Sequence, residues 1–125
     1  MKYFIEPGEM RSVSPVLHAV QIMSDGNVVS FRVNEFDREK FCETFIGVGV
    51  RSHKVGKYTV LFSIRAKSAG KPMNYLASRF TRLKIYGDAF VIGGMILGVP
   101  LLFDASEVKE CSDTLDNVFV RKRRQ

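Results

Sequence analysis

Between Thr44 and Gly87 the chain carries nine cationic side chains: Arg51, Lys54, Lys57, Arg65, Lys67, Lys71, Arg79, Arg82 and Lys84. The same stretch holds no Asp or Glu, and a second group, Arg121, Lys122, Arg123 and Arg124, closes the sequence. Acids are concentrated on either side of the block, so the charge is patterned rather than scattered, within a net charge of +6. Cations interleaved with hydroxyls and an aromatic, as Ser63, Tyr75 and Ser78 are here, are the side chains that hold phosphate oxygens. The competing reading is a solvated basic face, or one that meets the acidic C-terminal segment.

Other arrangements that could do chemistry fail on spacing. Gly47, Gly49, Gly56 and Lys57 suggest a phosphate loop, but Arg51 stands where its first glycine belongs, and Tyr58 replaces the hydroxyl after the lysine. A dinucleotide-binding loop is excluded because these glycines follow a helix-like stretch rather than a strand. Asp88, Asp104, Glu107 and Lys109 resemble a nuclease set only in composition. Glu107 and Lys109 fall on an expected helix, where residues two apart face different ways. Asp88 and Asp104 read instead as turn and cap residues that bracket an apolar run. His18 reads as a packed or rim residue, and His53 stands among the cations of the block. Cys42 and Cys111 lack metal-site spacing and read as buried free thiols, which suits a reducing, intracellular setting, cytoplasmic or nuclear. No catalytic set, metal or cofactor is expected, and the motifs place the chain in no known family.

The elements that must position the cations follow from periodicity. The axis is the run from Asp88 to Asp104, which encloses fifteen uncharged residues. It is too short and too rich in glycine to cross a membrane. It predicts two buried strands, roughly 84–92 and 99–103, joined by a glycine turn. Residues 58–66 predict a strand with Tyr58, Val60, Phe62 and Ile64 on one face. Thr59, Ser63, Arg65 and Lys67 share the other face with Leu61. Pro72 opens a helix whose inner face is Met73, Leu76, Ala77 and Phe80, with Tyr75, Ser78, Arg79 and Arg82 outside. Asp104 and Glu107 form a capping box for a last helix with the stripe Val108, Cys111, Leu115 and Val118.

Before the block, residues 2–5 predict a short strand and 28–33 a second one. Ser14-Pro15 predicts a helix to about Met23, with a strand over 16–23 as the competing reading. A further helix begins at Asn34 or Asp37 and buries Phe41, Cys42, Phe45 and Ile46. Residues 47–57 read as a basic loop. Length and composition indicate one α+β domain over 1–120, with 121–125 as a basic tail. Its sheet is expected to be mixed, with four or five strands and helices mainly on one face; an α/β arrangement is the alternative. The function this predicts is non-enzymatic binding of RNA or DNA through phosphates, away from membranes. Two alternatives stand beside it: an adaptor meeting acidic protein surfaces, and, less favoured, a metal-dependent nuclease.

Overall fold

A computed structural model of the protein describes residues 17–33 and 49–124. Seven strands and two helices follow one another in the described residues. They are β1 Leu17–Ile22, β2 Val28–Val33, β3 Val50–Val55, β4 Tyr58–Ser63, α1 Tyr75–Thr81, β5 Ala89–Ile92, β6 Gly94–Ile96, β7 Val99–Leu101 and α2 Ala105–Arg124. Five strands form one sheet in the order β2-β1-β5-β4-β3, and every pairing within it is antiparallel. The expected mixed sheet is corrected by this, because each neighbouring pair runs in opposite directions. β6 and β7 make a separate two-stranded ribbon.

β5 is central because Ala89, Phe90, Val91 and Ile92 are apolar on both faces, and all four are buried. One face carries Val20, Ile22, Tyr58, Val60, Phe62, Ala89 and Val91, packed with Leu76, Ala77 and Phe80 of α1 and Cys111 and Leu115 of α2. The other carries Ala19, Val33, Leu61, Phe90 and Ile92. Each large apolar side chain fully buried in this way contributes roughly 1.5–3 kcal/mol relative to exposure.

α1 is only seven residues long, too short to persist alone, and is fixed at both ends. Asn74 caps its start, Oδ1 accepting from the Ala77 N–H at 3.0 Å. At its end, Arg82 adopts φ 65° and ψ 25°, and its N–H donates to the Ser78 carbonyl at 2.7 Å. α2 begins with the expected reciprocal box: the Asp104 N–H donates to Glu107 Oε1 and the Glu107 N–H to Asp104 Oδ1, both at 3.0 Å. Among the described residues no helix is long and apolar enough to cross a membrane.

Four further expectations are corrected. The helix read from Ser14-Pro15 is strand β1 where it is described, because its residues are shared between two neighbouring strands and two buried faces. The basic loop is strand β3, joined to β4 through Gly56-Lys57, whose single positive φ at Gly56 matches a type II′ hairpin. The two apolar strands do not pair with each other: β5 joins the large sheet, and β7 turns back on β6. Residues 121–124 continue the backbone of α2 rather than trailing away from it. The expected strand at 2–5, the helix from Asn34 or Asp37, and Cys42 lie outside the described residues.

Candidate nucleic-acid interface

The cations gather in two places rather than on one surface. The first is a cleft of about 610 Å³ lined by Val55 of β3, Arg79, Phe80 and Arg82 at the end of α1, and Val118 of α2. Of its apolar residues, Phe80 belongs to the core, and Val55 and Val118 are partly buried against it. Arg79 lies in the last turn of α1, where a cation complements the carbonyl end of the helix dipole. Arg82 is the next position on, in the left-handed conformation that usually falls to Gly or Asn at a helix C-terminus. Lys84 is exposed two residues beyond. Past Val118 the backbone of α2 carries Arg121–Arg124 as its final helical turn.

β3, which contributes Val55 to this cleft, is an edge strand among the described residues, and Arg51 and Lys54 are both exposed on it. Pairing with β4 puts Arg51 opposite Phe62 and Lys54 opposite Thr59, so the two cations belong to opposite faces of the sheet. Charges on an edge strand also discourage pairing with another chain, a purely structural use. His53, opposite Val60, shares the sheet face of Arg51. Lys57, in the turn, forms an ion pair with Glu110 of α2. That bond, more than any other cause, raises the Lys57 pKa above its ordinary 10.5. At this point the acidic last helix does meet the basic block.

The second group lies at the opposite end of α1. Arg65 and Lys67 were expected on the polar face of β4, but that strand ends at Ser63 and both occupy the turn after it. Thr59, assigned to the same solvent face, is buried because β4 is covered on both sides. Lys67 Nζ stands 5.5 Å from the centre of the Tyr86 ring. Lys71 lines a smaller pocket of about 300 Å³ with Ser24, Tyr86 and Asp88, among others. Lys71 precedes α1, whereas Arg79 lies in its last turn and Arg82 follows it.

The carboxylates set aside earlier have structural partners. Asp88 Oδ2 accepts from Gln21 Nε2 at 2.9 Å and Oδ1 from the Ser24 N–H at 3.1 Å. Among the described residues no three His, Cys, Asp or Glu side chains form a group that could hold a metal ion. Cys111 is buried, and that burial pushes its thiol pKa up to about 12, with the Glu110 charge adding to the effect. His18 lies on β1 and bridges to Phe103, and its Nδ1 is buried without a hydrogen-bond partner.

Sequence reasoning missed four contributors. Asn74 is wholly buried and ties α1 to the sheet; a polar residue two after Pro72 was its signal. Val55 and Val118 complete the cleft, but nothing local to either announces that they meet. Leu97, 98% exposed, stands out only once the ribbon is seen. No protein-family model matches the chain, and no curated protein or solved structure matches it either.

Proposed function

We propose that this domain binds RNA or DNA through the phosphate backbone, with little sequence preference and without catalysis, metal or cofactor. The observation that carries the reading is that Arg79 and Arg82 line one cleft together with Val55, Phe80 and Val118. Arg82 holds a left-handed conformation there that a non-glycine residue adopts at a cost of roughly 1 kcal/mol. Strain kept at an exposed cation argues for a use other than folding. Arg51, on the sheet face that meets the helices, and the exposed Lys84 add to the positive charge near the cleft, while Lys54 belongs to the other face of the sheet. Arg65, Lys67 and Lys71, which precede α1 in the chain, form a second contact separate from the cleft.

In this reading the fold is α+β with its helices mainly against one face of the sheet, as the first apolar cluster suggests. An intracellular site is part of the proposal, supported by the free, buried thiol of Cys111. One observation favours a second reading, an adaptor for acidic protein surfaces. Lys57 already pairs with a carboxylate of its own chain, so the block accommodates such partners. Binding to single- and double-stranded RNA and DNA, measured against salt, separates the two. Affinity for nucleic acid should fall with a log–log slope of about −4 to −6 if five to seven phosphates are neutralised. Absence of binding at ~50 mM salt, where electrostatic attraction is strong, would leave the adaptor reading in its place.

A further inference from the structure

We infer that the β6–β7 ribbon is an apolar wedge whose tip, Ile96-Leu97, enters between neighbouring bases of the nucleic acid held by the cleft. The inference rests on the proposed phosphate binding and adds a contact of a different kind. Among the described residues, non-glycine positive φ occurs at two places, Arg82 in the cleft and Leu97 at the ribbon tip. Leu97 has φ 50° and Gly98 φ 80° between the paired residues Ile96 and Val99, the dihedral pattern of a type I′ turn. That turn favours Asn, Asp or Gly at its first central position, since a branched side chain is strained there. A leucine, 98% exposed, satisfies neither the turn nor the core. Its neighbours Met95 and Ile96 are 38% and 57% exposed, and no charge occurs anywhere from Ala89 to Phe103.

The ribbon is rooted firmly enough to act as a wedge. Gly93 N–H donates to the Leu101 carbonyl at 2.7 Å, and Phe103 and His18 exchange backbone hydrogen bonds at 2.8 and 2.9 Å. It also shares an end of the sheet with one wall of the cleft. β5 runs from Phe90 opposite Leu61 to Ile92 opposite Thr59, so the ribbon leaves the sheet at the end where the Gly56-Lys57 turn lies. Val55, which lines the cleft, belongs to that same end.

Other occupants fit less well. A second copy would need about 800 Å² per partner, far more than a few half-exposed side chains supply. Interfacial insertion into lipid calls for a broad apolar face, whereas this is a two-stranded ribbon with three residues a side. A two-stranded ribbon matches the width of a nucleic-acid groove, and one or two Ile or Leu side chains are what unstack a base step.

Leu97→Asn tests this without threatening the fold, because it installs the Asn-Gly pair that the turn prefers. The probe is a duplex carrying a fluorescent adenine analogue, whose emission rises when it is unstacked. Wild type should raise the emission on binding. Leu97→Asn, and Ile96→Thr as a second variant, should lose most of that rise and about tenfold in affinity, with the salt slope unchanged. Equal emission with wild type and Leu97→Asn, at intact binding, would overturn the wedge and leave phosphate binding standing. Absence of binding by wild type would overturn both. Capture of anionic vesicles that Leu97→Asn abolishes, with no emission change on the duplex, would assign the tip to lipid and overturn the wedge.

Discussion

The side chain of Asn74 reaches Ile22 across the interface between α1 and the sheet, Nδ2 donating to the Ile22 carbonyl at 2.8 Å. The same nitrogen donates to the Gly87 carbonyl at 2.9 Å, while Oδ1 caps α1. One buried amide therefore sets where the seven-residue helix sits, and with it the position of Arg79 and Arg82. Asn74→Ala should cost about 2–4 kcal/mol, since it removes a cap and leaves two buried carbonyls short of a donor. Asn74→Asp should cost more, because a carboxylate faces those carbonyls without a proton to give. Urea denaturation of the two variants measures both losses. A cost under ~0.5 kcal/mol for Asn74→Ala would mean that α1 is held by packing alone.

Arg82 separates stability from binding. Arg82→Gly relieves the left-handed backbone, so the melting temperature should hold or rise, by up to about 1 kcal/mol in stability. Nucleic-acid affinity should fall in the same variant. A drop in stability together with affinity would show that the Arg82 side chain serves the fold.

Phe90 packs on the second sheet face, its ring 5.8 Å from that of Phe31 in an edge-on arrangement. Phe62 packs on the face that meets the helices. Either Phe→Ala change should cost about 3–5 kcal/mol. Losses under ~1 kcal/mol at both positions would place them outside the core.

Cys111 gives a pH signature. Its folded-state pKa, about 12, lies above the ordinary 9.0, so the folded protein keeps the thiol neutral where the unfolded chain ionises it. The stabilisation is complete below pH 9.0 and is lost as pH rises towards about 12. Alkylation at about pH 8, followed on the peptide that contains Cys111, should therefore proceed only as fast as the protein opens. Rapid labelling of native protein at this residue would contradict the burial that raises its pKa.

How far the sequence reveals this arrangement depends on the element. The capping box of α2 and its stripe are local, and Asp104, Glu107, Cys111 and Leu115 stand as expected. The inner face of α1 is legible for the same reason at Leu76, Ala77 and Phe80. Met73, expected with them on a helix opened by Pro72, instead precedes α1 and bridges to Tyr86. β1 is not, because a strand flanked on both sides has no polar alternation, and a short apolar run after Ser14-Pro15 suits a helix equally well. β3 fails for a different reason. Its two valines, Val50 and Val55, belong to opposite faces, so the strand shows no period of two. The site inherits these limits. Its cations are visible as a charge block, but the division of Arg65 and Lys67 from Arg79 and Arg82 depends on where β4 ends. The cleft depends on a long-range meeting of β3, α1 and α2.

The salt dependence of nucleic-acid binding by wild type and by Arg79→Gln/Arg82→Gln tests the cleft as a phosphate site most directly. Both side chains line the cleft, so the double variant should bind more weakly and its log–log slope should be flatter by about 2, near 0.9 per lost phosphate contact. Adding Arg65→Gln should flatten it by about one more unit, because that residue belongs to the second, separate group. A slope unchanged in the double variant, or no binding by wild type at ~50 mM salt, would contradict the cleft as a phosphate site.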